Sequence, residues 1–385
     1  MLGTVLLLLF ANNETLAAKL LGAKLLAGIG LISYSAYLWH QPIFVFARIR
    51  VISEVPEALF LALIAVTFVL AYLTYKFVET PFRDKTRIGG RKFIFFIGIS
   101  SFLFIIFGIL GHISNGWKNH IGTERQWEIL DAAQSSPRRN DCHTRATNSH
   151  EGTGYLSPTE ACSYQGDNVN IAVLGNSHGV ELAWGLSEIL RDSGKGILHL
   201  TYSGCGPSYG FTNSENILEP RIGCTLWTSE AMDLIVNSQS IRTVVISYSS
   251  DTFRGQMNVL SDLGRQRIAS YSRIIETLYS AGKQVVLVLQ APRLPRDIEI
   301  VTLSQPESDN VKGVERDTWQ QGSAGMYQLI NDLPPDIIIV DPVETFCDAV
   351  WCYAVKNGNA MYYDTGHMSV HAGELLGERI YSMIQ

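Results

Sequence analysis

A serine at the end of a short apolar run is the first residue whose type and position could do chemistry. Residues 171–174 lead through Gly175 and Asn176 to Ser177, a pattern that predicts a buried parallel strand, a tight turn and a helix over residues 179–191. Open α/β sheets bind ligands at the carboxyl ends of their strands, and the free N–H groups of a helix N-terminus favour a developing anion. Ser177 is therefore a candidate nucleophile, and the alternative is a serine that only caps the helix.

A nucleophilic serine needs a base, and the base needs an acid to orient it. Near the other end of the chain, Asp364 precedes His367 by three residues, so one loop can present both side chains. His367 would then take the proton of Ser177 while Asp364 holds the imidazole tautomer. His367 as an ordinary surface residue is the alternative, but the two motifs lie at opposite ends of one α/β pattern, which favours a triad.

The elements that must position these residues alternate along the second part of the chain. Strands are predicted at residues 170–174, 196–202, 243–247, 284–289 and 336–340. Helices are predicted at residues 179–191, 229–237, 263–281, 319–331 and 370–383. Short β-branched runs separated by helices indicate parallel strands joined by right-handed crossovers and covered on both faces. We therefore expect a three-layer α/β/α sandwich of about five strands.

Two of these motifs resemble a known family. Gly175-Asn176-Ser177-His178 resembles block I of the SGNH (GDSL-like) hydrolases, usually Gly-Asp-Ser, and the segment from Asp364 to Ser369 resembles their final Asp-x-x-His block. The resemblance covers about residues 140–385. It implies a flavodoxin-like parallel sheet, with Ser177 as nucleophile, His367 as base and Asp364 as its orienter.

The chain departs from this family in two places. Asn176 replaces the usual aspartate, a residue that shapes the turn, and no Gly-x-Asn-Asp block supplies an oxyanion-hole asparagine, because the corresponding strand end, residues 246–251, reads Ile-Ser-Tyr-Ser-Ser-Asp. The resemblance implies that the backbone N–H groups of Ser177 and Gly204 form the oxyanion hole. The alternative for Gly204 is an ordinary Gly/Pro turn.

Three further side chains are candidates for contact with substrate. Arg293 follows the fourth strand, and Trp227 and Tyr248 are aromatic rings that sugars could stack on. A solvated arginine is an equal alternative for Arg293, and core packing is the favoured interpretation for either aromatic residue alone. His178 follows the nucleophile directly, and we expect its side chain to point away from Ser177 and to be structural.

All six cysteines come after residue 140, which suggests a disulfide framework and an oxidising compartment. The pairs expected from proximity are Cys142 with Cys162, Cys205 with Cys224, and Cys347 with Cys352. A zinc site is the competing interpretation, but no Cys-x-x-Cys pair occurs. We expect neither a metal nor a bound cofactor.

The first part of the chain is strongly apolar. Three stretches, residues 25–47, 58–77 and 93–110, approach the ~20 residues that a membrane-spanning helix needs. Buried core helices are the alternative. Residues 2–10 are too short to span, and we interpret them as the tail of a membrane helix in an N-terminally incomplete chain, with a signal peptide as the alternative.

Charge sets the expected orientation in the membrane. Six basic residues lie at the end of the second stretch (Lys76) and between it and the third, so the positive-inside rule places that loop in the cytoplasm and everything after Gly111 outside. The cysteines point to the same side. We expect a multi-pass protein of the bacterial plasma membrane with its C-terminal domain in the periplasm or another extracytoplasmic space. A net charge of −6 and the lack of a basic patch argue against nucleic-acid binding.

This apolar part resembles a second family. Residues 33–42, Ser-Tyr-Ser-Ala-Tyr-Leu-Trp-His-Gln-Pro, and residues 78–83, Val-Glu-Thr-Pro-Phe-Arg, are similar to motifs in the C-terminal portion of membrane acyltransferase type 3 proteins. The resemblance covers about residues 1–112. It makes His40 a candidate for an acyl-donor path, although an interfacial anchor is the favoured interpretation.

These features together predict three segments and one activity. The segments are a membrane region at residues 1–112, a linker and irregular lead-in at 113–168, and an extracytoplasmic SGNH domain at 169–385. The resemblance implies an O-acetyltransferase of a cell-envelope polysaccharide such as O-antigen or lipopolysaccharide, with acetyl-CoA as acyl donor on the cytoplasmic side. A membrane-tethered carbohydrate acetylesterase is the first alternative, and a non-catalytic glycan-binding domain is the second. The partners expected are the glycan and the lipid bilayer, and the oligomeric state stays open.

Overall fold

A computed structural model of the chain describes residues 5, 15–50, 56–84, 86, 88–145, 155–166, 168–211, 223–250, 262–330 and 333–385. The chain divides into two compact units, Met1–Ile121 and Gly122–Gln385. The predicted linker at 113–168 is therefore not a separate segment. Its first residues continue the helical unit, and its later ones, including Cys142, pack into the core of the second unit.

The first unit is helical. Its α-helices are α1 (Leu16–Leu21), α2 (Lys24–Arg50), α3 (Glu57–Thr74), α4 (Thr80–Arg83), α5 (Gly90–Ile113) and α6 (Lys118–Ile121), and a π-helical turn (Tyr75–Glu79) joins α3 to α4.

Among the described residues, two helical stretches are long and apolar enough to cross a membrane, Glu57–Arg83 and Gly90–Ile113. They correspond to the second and third predicted spans. The first predicted span does form α2, but its serines together with His40 and Gln41 make it less apolar than the other two. The short stretch at residues 2–10 lies outside the described residues apart from Val5.

The two motifs of the first unit that resemble the membrane acyltransferases meet in space. Ser35 Oγ donates to Glu79 Oε2 over 2.9 Å, and Arg83 pairs with the same carboxylate at 2.8 Å. One helical turn away, the indole N–H of Trp39 donates to Thr74 Oγ1 over 2.8 Å. The π-helical turn has one more residue per hydrogen-bonded turn than an α-helix has, and Glu79 is the last residue of that turn.

The second unit is built on a parallel sheet. Its strands are β1 (Ser163–Tyr164), β2 (Val169–Gly175), β3 (Gly196–Thr201), β4 (Thr243–Ser247), β5 (Gln284–Val288), β6 (Val311–Glu315), β7 (Ile338–Val340), β8 (Trp351–Lys356) and β9 (Asn359–Ala360). The main sheet has the order β1-β3-β2-β4-β5-β7, and all pairs are parallel except the antiparallel edge strand β1. The five parallel strands thus follow the flavodoxin-like order 2-1-3-4-5, and each predicted strand is present.

Helices cover both faces of this sheet. They are α7 (Glu124–Asp131), α8 (Arg139–Cys142), α9 (Val180–Ile189), α10 (Cys224–Asn237), α11 (Asp262–Ser280), α12 (Ile298–Leu303), α13 (Arg316–Gly322), α14 (Ala324–Ile330), α15 (Val343–Phe346) and α16 (Val370–Met383). Buried side chains of α9 and α16 form one core with one face of the sheet, and those of α10 and α11 form a second core with the other. The three-layer α/β/α sandwich is therefore confirmed. A small antiparallel sheet, β6-β8-β9, is an addition that the sequence pattern did not predict.

Glycines let the two helices of the first core approach closely. A Cβ atom on Gly185 of α9 would lie 2.2 Å from the carbonyl carbon of Gly373 of α16, and a Cβ on Gly373 would lie 2.4 Å from the carbonyl oxygen of Glu181. Helix α9 starts just after Ser177, and α16 starts just after His367. This contact therefore sets the separation of the two candidate catalytic residues.

Candidate active site

Ser177 follows the carboxyl end of β2, a strand near the middle of the main sheet. The turn after β2 passes so close to β4 that a Cβ atom on Gly175 would lie 1.9 Å from the carbonyl oxygen of Ser247, so only glycine fits there. The backbone N–H of Asn176 donates to that same oxygen over 3.3 Å. Residues Ser177–Gly179 then form a 3₁₀ turn that leads into α9.

The structure brings Ser177, His367 and Asp364 together in a hydrogen-bonded chain. Ser177 Oγ lies 2.8 Å from His367 Nε2, and His367 Nδ1 lies 2.7 Å from Asp364 Oδ2. Both distances are within hydrogen-bond reach for a nucleophile, a base and its orienter. The predicted catalytic roles are thus geometrically satisfied.

A tight loop holds the base in place at both ends. Asp364 Oδ1 accepts the backbone N–H groups of Gly366 and His367, each over 2.7 Å. After the loop, Ser369 Oγ donates to the carbonyl oxygen of Ala360 over 2.6 Å and accepts the N–H of Ala372 in the first turn of α16. The loop is therefore anchored to β9 and to the helix that follows.

Asp364 is held in its ionised form. Burial on its own would raise the pKa of the Asp364 carboxyl, but the hydrogen bond and charge of His367 and the two backbone N–H groups outweigh it and lower the pKa to about 2. Asp364 is therefore an anion over the whole physiological range, as an orienting acid must be.

Two rings flank the imidazole of His367. The ring of His178 stacks on it with centroids 4.6 Å apart and an interplanar angle of 27°, and the ring of Tyr363 stacks on it at 5.6 Å and 14°. We expected the His178 side chain to point away from Ser177, but it stacks on the base that Ser177 contacts and lines the same cavity. The cause is the 3₁₀ turn at Ser177–Gly179, which winds more tightly than an α-helix and turns the next side chain toward the base loop.

His178 is uncharged in this position. Burial lowers the pKa of its imidazole to about 3, and the neighbouring His367 lowers it further in the same direction. Its Nδ1 atom has no hydrogen-bond partner among the described residues. A neutral, apolar-like ring therefore supports the base without competing with it for a proton.

A buried ion pair that sequence reasoning missed supports the nucleophile. Arg139 of α8 donates from Nη2 to the carbonyl oxygen of Ser177 over 2.8 Å, and it also binds Glu181 from Nε at 2.9 Å and from Nη2 at 2.7 Å. Burial opposes the charge of Arg139, but Glu181 outweighs it and raises the pKa of the guanidinium. The same guanidinium lies 5.4 Å from the ring centroid of Tyr363. Arg139 thus contacts both the nucleophile's backbone and a ring that packs on the base.

A cavity of 510 Å³ opens over the triad. Its lining consists of Asn176, Ser177, His178, Gly204, Ser249, Arg267, Gln290, Arg293, Asp364, Thr365, Gly366 and His367. Gly204 has a φ of +67°, a conformation that favours glycine, and it faces the same space as Ser177. Arg293 is exposed, and its stem packs near Gly366 of the base loop. Both residues therefore line the cavity that contains Ser177, and their predicted roles stay predictions.

Trp227 and Tyr248 are not sugar platforms. Trp227 is 2% exposed, packs on Tyr202 and donates its indole N–H to the carbonyl oxygen of Leu156. Tyr248 is 1% exposed and packs edge-on against Tyr271. Both side chains belong to the core on the α10 and α11 face, so the core-packing alternative holds for each of them.

The strand end that lacks the family's asparagine carries two serines instead. Ser249 and Ser250 both donate from their hydroxyl groups to Gln290 Oε1, over 3.0 and 2.8 Å. The last residue of the motif, Asp251, lies outside the described residues.

All three predicted disulfides are present, Cys142–Cys162, Cys205–Cys224 and Cys347–Cys352. The first ends the short helix that carries Arg139, and the second ties the loop after Gly204 to the start of α10. The first bridge therefore holds the helix whose Arg139 contacts Ser177, and the second holds a loop that lines the cavity. No group of three or more His, Cys, Asp or Glu side chains able to hold a metal ion occurs within the described ranges.

Comparison with known proteins gives one family and several relatives. Residues 141–382 match the family described as the SGNH domain fused to AT3 domains. The O-acetyltransferase OatA of Staphylococcus aureus is 39% identical over 85 residues, which cover 22% of this chain and 14% of that protein. The chain thus spans only a small part of the length of that relative.

Solved structures that align with this chain include a carbohydrate acetylesterase and a GDSL-like lipase. Est24, a carbohydrate acetylesterase from Sinorhizobium meliloti, aligns with 56% of this chain and 99% of its own at 10% identity and a TM-score of 0.33. A GDSL-like lipase from Bacteroides thetaiotaomicron aligns with 57% of this chain and 90% of its own at 12% identity and a TM-score of 0.32.

Proposed function

The chain belongs to the family of SGNH domains fused to AT3 domains, and from that premise we propose that it is an O-acetyltransferase that carries an acetyl group on Ser177 and passes it to a hydroxyl of a cell-envelope glycan. The observation that carries the proposal is the unbroken hydrogen-bonded chain from Ser177 through His367 to Asp364. The similarity to proteins named O-acetyltransferases supports the choice of acyl group.

The reaction has two halves that use the same base. His367 Nε2 takes the proton of Ser177 Oγ as that oxygen attacks the acetyl carbonyl, and the imidazolium then protonates the leaving group, which departs and leaves acetyl-Ser177. In the second half His367 takes the proton of an acceptor hydroxyl, whose oxygen attacks the acetyl-serine. The tetrahedral intermediate collapses to the acetylated acceptor, and His367 returns the proton to Ser177.

Charge on the carbonyl oxygen develops in both halves. The backbone N–H groups of Ser177 and Gly204 would stabilise it, since both residues line the same cavity. Removing one such donor from a serine enzyme costs about 2.7–4 kcal/mol of transition-state stabilisation. The side chains of His367 and Asp364 are 26% and 35% exposed, so an acceptor can approach the acetyl-serine from the cavity.

The membrane unit favours transfer over hydrolysis. An esterase that acts on external glycans has no need of spanning helices, whereas a transferase outside the cytoplasm needs an acyl group from acetyl-CoA on the inner side. Two candidate spans and the meeting of the Ser35 and Glu79 motifs support such a role. We propose a multi-pass protein of the bacterial plasma membrane with the second unit outside the cytoplasm and a surface polysaccharide such as O-antigen or lipopolysaccharide as acceptor.

A carbohydrate acetylesterase is the second candidate function. The partial exposure of His367 and Asp364 favours it, because water can reach the acetyl-serine as readily as a sugar hydroxyl can. In that case the first half of the reaction is unchanged and water replaces the acceptor in the second half.

The test uses the full chain in detergent with a chromogenic acetyl ester, with and without an acetyl-free oligosaccharide. The transferase proposal predicts acetylated oligosaccharide and faster release of the chromophore when the acceptor is present. Ser177→Ala should abolish both, and Ser382→Ala, a change at an exposed serine of α16, should leave both unchanged.

Other outcomes separate the alternatives. Chromophore release that depends on Ser177 but gives no acetylated sugar would identify an esterase. Turnover that is no greater for the wild type than for Ser177→Ala, together with retained oligosaccharide binding, would identify a glycan-binding domain and overturn the proposal.

A further inference from the structure

The side chain of Asn176 is held in one orientation by two backbone groups. Its Oδ1 atom accepts the N–H of His178 over 3.1 Å and the N–H of Ser249 over 3.3 Å. A backbone N–H can only donate, so the atom that faces these two groups is the oxygen and the amide nitrogen Nδ2 lies on the other side. The turn residue before the nucleophile therefore presents two N–H donors in a fixed direction.

These donors are unused within the protein. Asn176 is 2% exposed, and its Nδ2 atom makes no hydrogen bond with any part of the chain that the structure describes. The side chain lines the cavity with Ser177 and Gly204. Unlike Gln290 Nε2, the Nδ2 atom of Asn176 is not sealed from solvent, so an acceptor group in the cavity can reach it.

Two polar side chains beside Asn176, Ser249 and Gln290, do not offer the same donor. Ser249 Oγ is committed to Gln290 Oε1. The Nε2 atom of Gln290 is sealed from solvent and has no partner among the described residues, so a substrate atom cannot reach it. Asn176 thus offers an amide N–H beside the segment that follows β4, where the family's asparagine is missing.

We propose that Asn176 is a catalytic residue whose Nδ2 donates a hydrogen bond to the oxyanion of the tetrahedral intermediate, beside the backbone N–H groups of Ser177 and Gly204. This inference rests on the proposed acyl transfer at Ser177. It gives a physical reason for asparagine at this position. An aspartate would accept the same two backbone N–H groups, but its second oxygen would place a negative charge where the oxyanion develops.

The decisive variant is therefore Asn176→Asp in the full chain, because it keeps both backbone hydrogen bonds and changes only the donor. We expect kcat for acetyl-ester turnover to fall about 10²–10³-fold, the effect of losing one oxyanion donor. KM and the thermal midpoint should stay close to the wild type, since the interaction is made in the transition state. Asn359→Asp, which adds the same charge at an exposed position, serves as the matched control and should not change kcat.

A pH profile separates loss of the donor from an effect of the new charge on the base. If the introduced carboxylate only made His367 harder to deprotonate, the variant would regain wild-type kcat at alkaline pH. Loss of the donor predicts a deficit that persists along the whole alkaline limb. An Asn176→Asp enzyme with wild-type kcat, or one that recovers fully at high pH, would overturn the inference.

A second variant tests the same point by restoring a donor. Ser249 lies at the adjacent strand end and lines the same cavity, so the double variant Asn176→Asp/Ser249→Asn should regain at least about tenfold of the lost kcat. A different result would contradict the proposed function itself, namely that Ser177→Ala turns over the ester as fast as the wild type. If turnover depends on Ser177 and Asn176→Asp matches the wild type, only the role of Asn176 is contradicted.

Discussion

Arg139 shows how a single side chain can support both the nucleophile and the base. Its guanidinium binds the carbonyl oxygen of Ser177, the buried carboxylate of Glu181 and the face of Tyr363, whose ring stacks on His367. Hydrogen bonds from a charged donor contribute about 1.5–3 kcal/mol. We therefore assign Arg139 as a positioning residue.

Replacing Arg139 should affect stability and turnover in separable ways. Arg139→Met leaves the buried carboxylate of Glu181 without its cationic partner, which should lower the free energy of unfolding by about 3–5 kcal/mol. The double variant Arg139→Met/Glu181→Gln removes that charge and keeps an acceptor for the N–H of Ser136, so most of the stability should return. Its kcat should stay about 10- to 100-fold below the wild type, because the carbonyl of Ser177 still lacks its donor.

Urea unfolding and steady-state kinetics on the same samples measure both quantities. Arg138→Met, a change at the exposed neighbouring arginine, is the matched control and should alter neither. Full recovery of kcat together with stability in the double variant would show that Arg139 contributes to folding alone.

At the scale of single residues, the sequence predicted those groups whose chemistry appears in a local motif. Ser177 lies in the turn just after β2, and Asp364 and His367 share one loop, so their spacing in the sequence was enough to predict them as candidates. Sequence alone did not decide between substrate contact and core packing for Trp227 and Tyr248, because an aromatic residue looks the same in sequence whether it faces a cavity or the core. Arg139 lies in a polar stretch without periodicity. The one sequence signal for Arg139 is Glu181, an acidic residue in the otherwise apolar first turn of α9. A buried acidic residue requires a basic partner.

At the scale of elements, the distance between nucleophile and base depends on how closely α9 and α16 pack. Gly185 and Gly373 place the two backbones in direct contact, so even one methyl group at either position must push the helices apart. Because Ser177 precedes α9 and His367 precedes α16, that displacement reaches the hydrogen bond between them.

Gly185→Ala should therefore lower both stability and turnover. Inserting a methylene-sized group into a packed core typically costs about 1–3 kcal/mol, and a displacement of about 1 Å at a catalytic site can reduce kcat about 10²-fold. Thermal unfolding and kcat should be compared with those of Glu378→Ala, a change on the exposed side of α16. An alanine variant with wild-type kcat would mean that the helix contact does not set the geometry of the triad.

The main sheet was predictable at this scale because its strands are short, β-branched and separated by helices. The small sheet β6-β8-β9 was not, since its strands are only half buried and contain residues such as Lys312 and Glu315 that break the apolar pattern. The resemblance to a family supplied the strand order in advance, and the hydrogen-bonded register then confirmed it.

At the scale of the whole molecule, three buried histidines make the second unit sensitive to acid. Burial lowers the pKa of His178 and of His199 to about 3 each, and it lowers the pKa of His143 well below its usual value. In the unfolded chain these groups bind a proton near pH ~6.5. Since the unfolded state then holds more protons than the folded state, the free energy of unfolding falls as the pH drops from about 6.5 toward 3, by about 1.4 kcal/mol per pH unit for each histidine.

Replacing one of these groups should reduce that slope. His178→Phe keeps a ring that can stack on His367 but does not titrate. Between about pH 7 and pH 5, the free energy of unfolding of this variant should therefore fall by about 2 kcal/mol less than that of the wild type. Urea midpoints measured across this range test the prediction, with His371→Phe on α16 as the control. Equal pH dependence in His178→Phe and the wild type would contradict a neutral, buried His178.

The central claim of this account is that Ser177 carries the acyl group, and its most direct test is to look for that group. The full chain is mixed with a reactive acetyl ester, quenched in acid within the first turnovers, digested and examined by mass spectrometry. We predict the added mass of one acetyl group on the peptide that contains Ser177, and no such adduct in Ser177→Ala. Turnover without any acetyl group on Ser177, or equal turnover by Ser177→Ala, would contradict it.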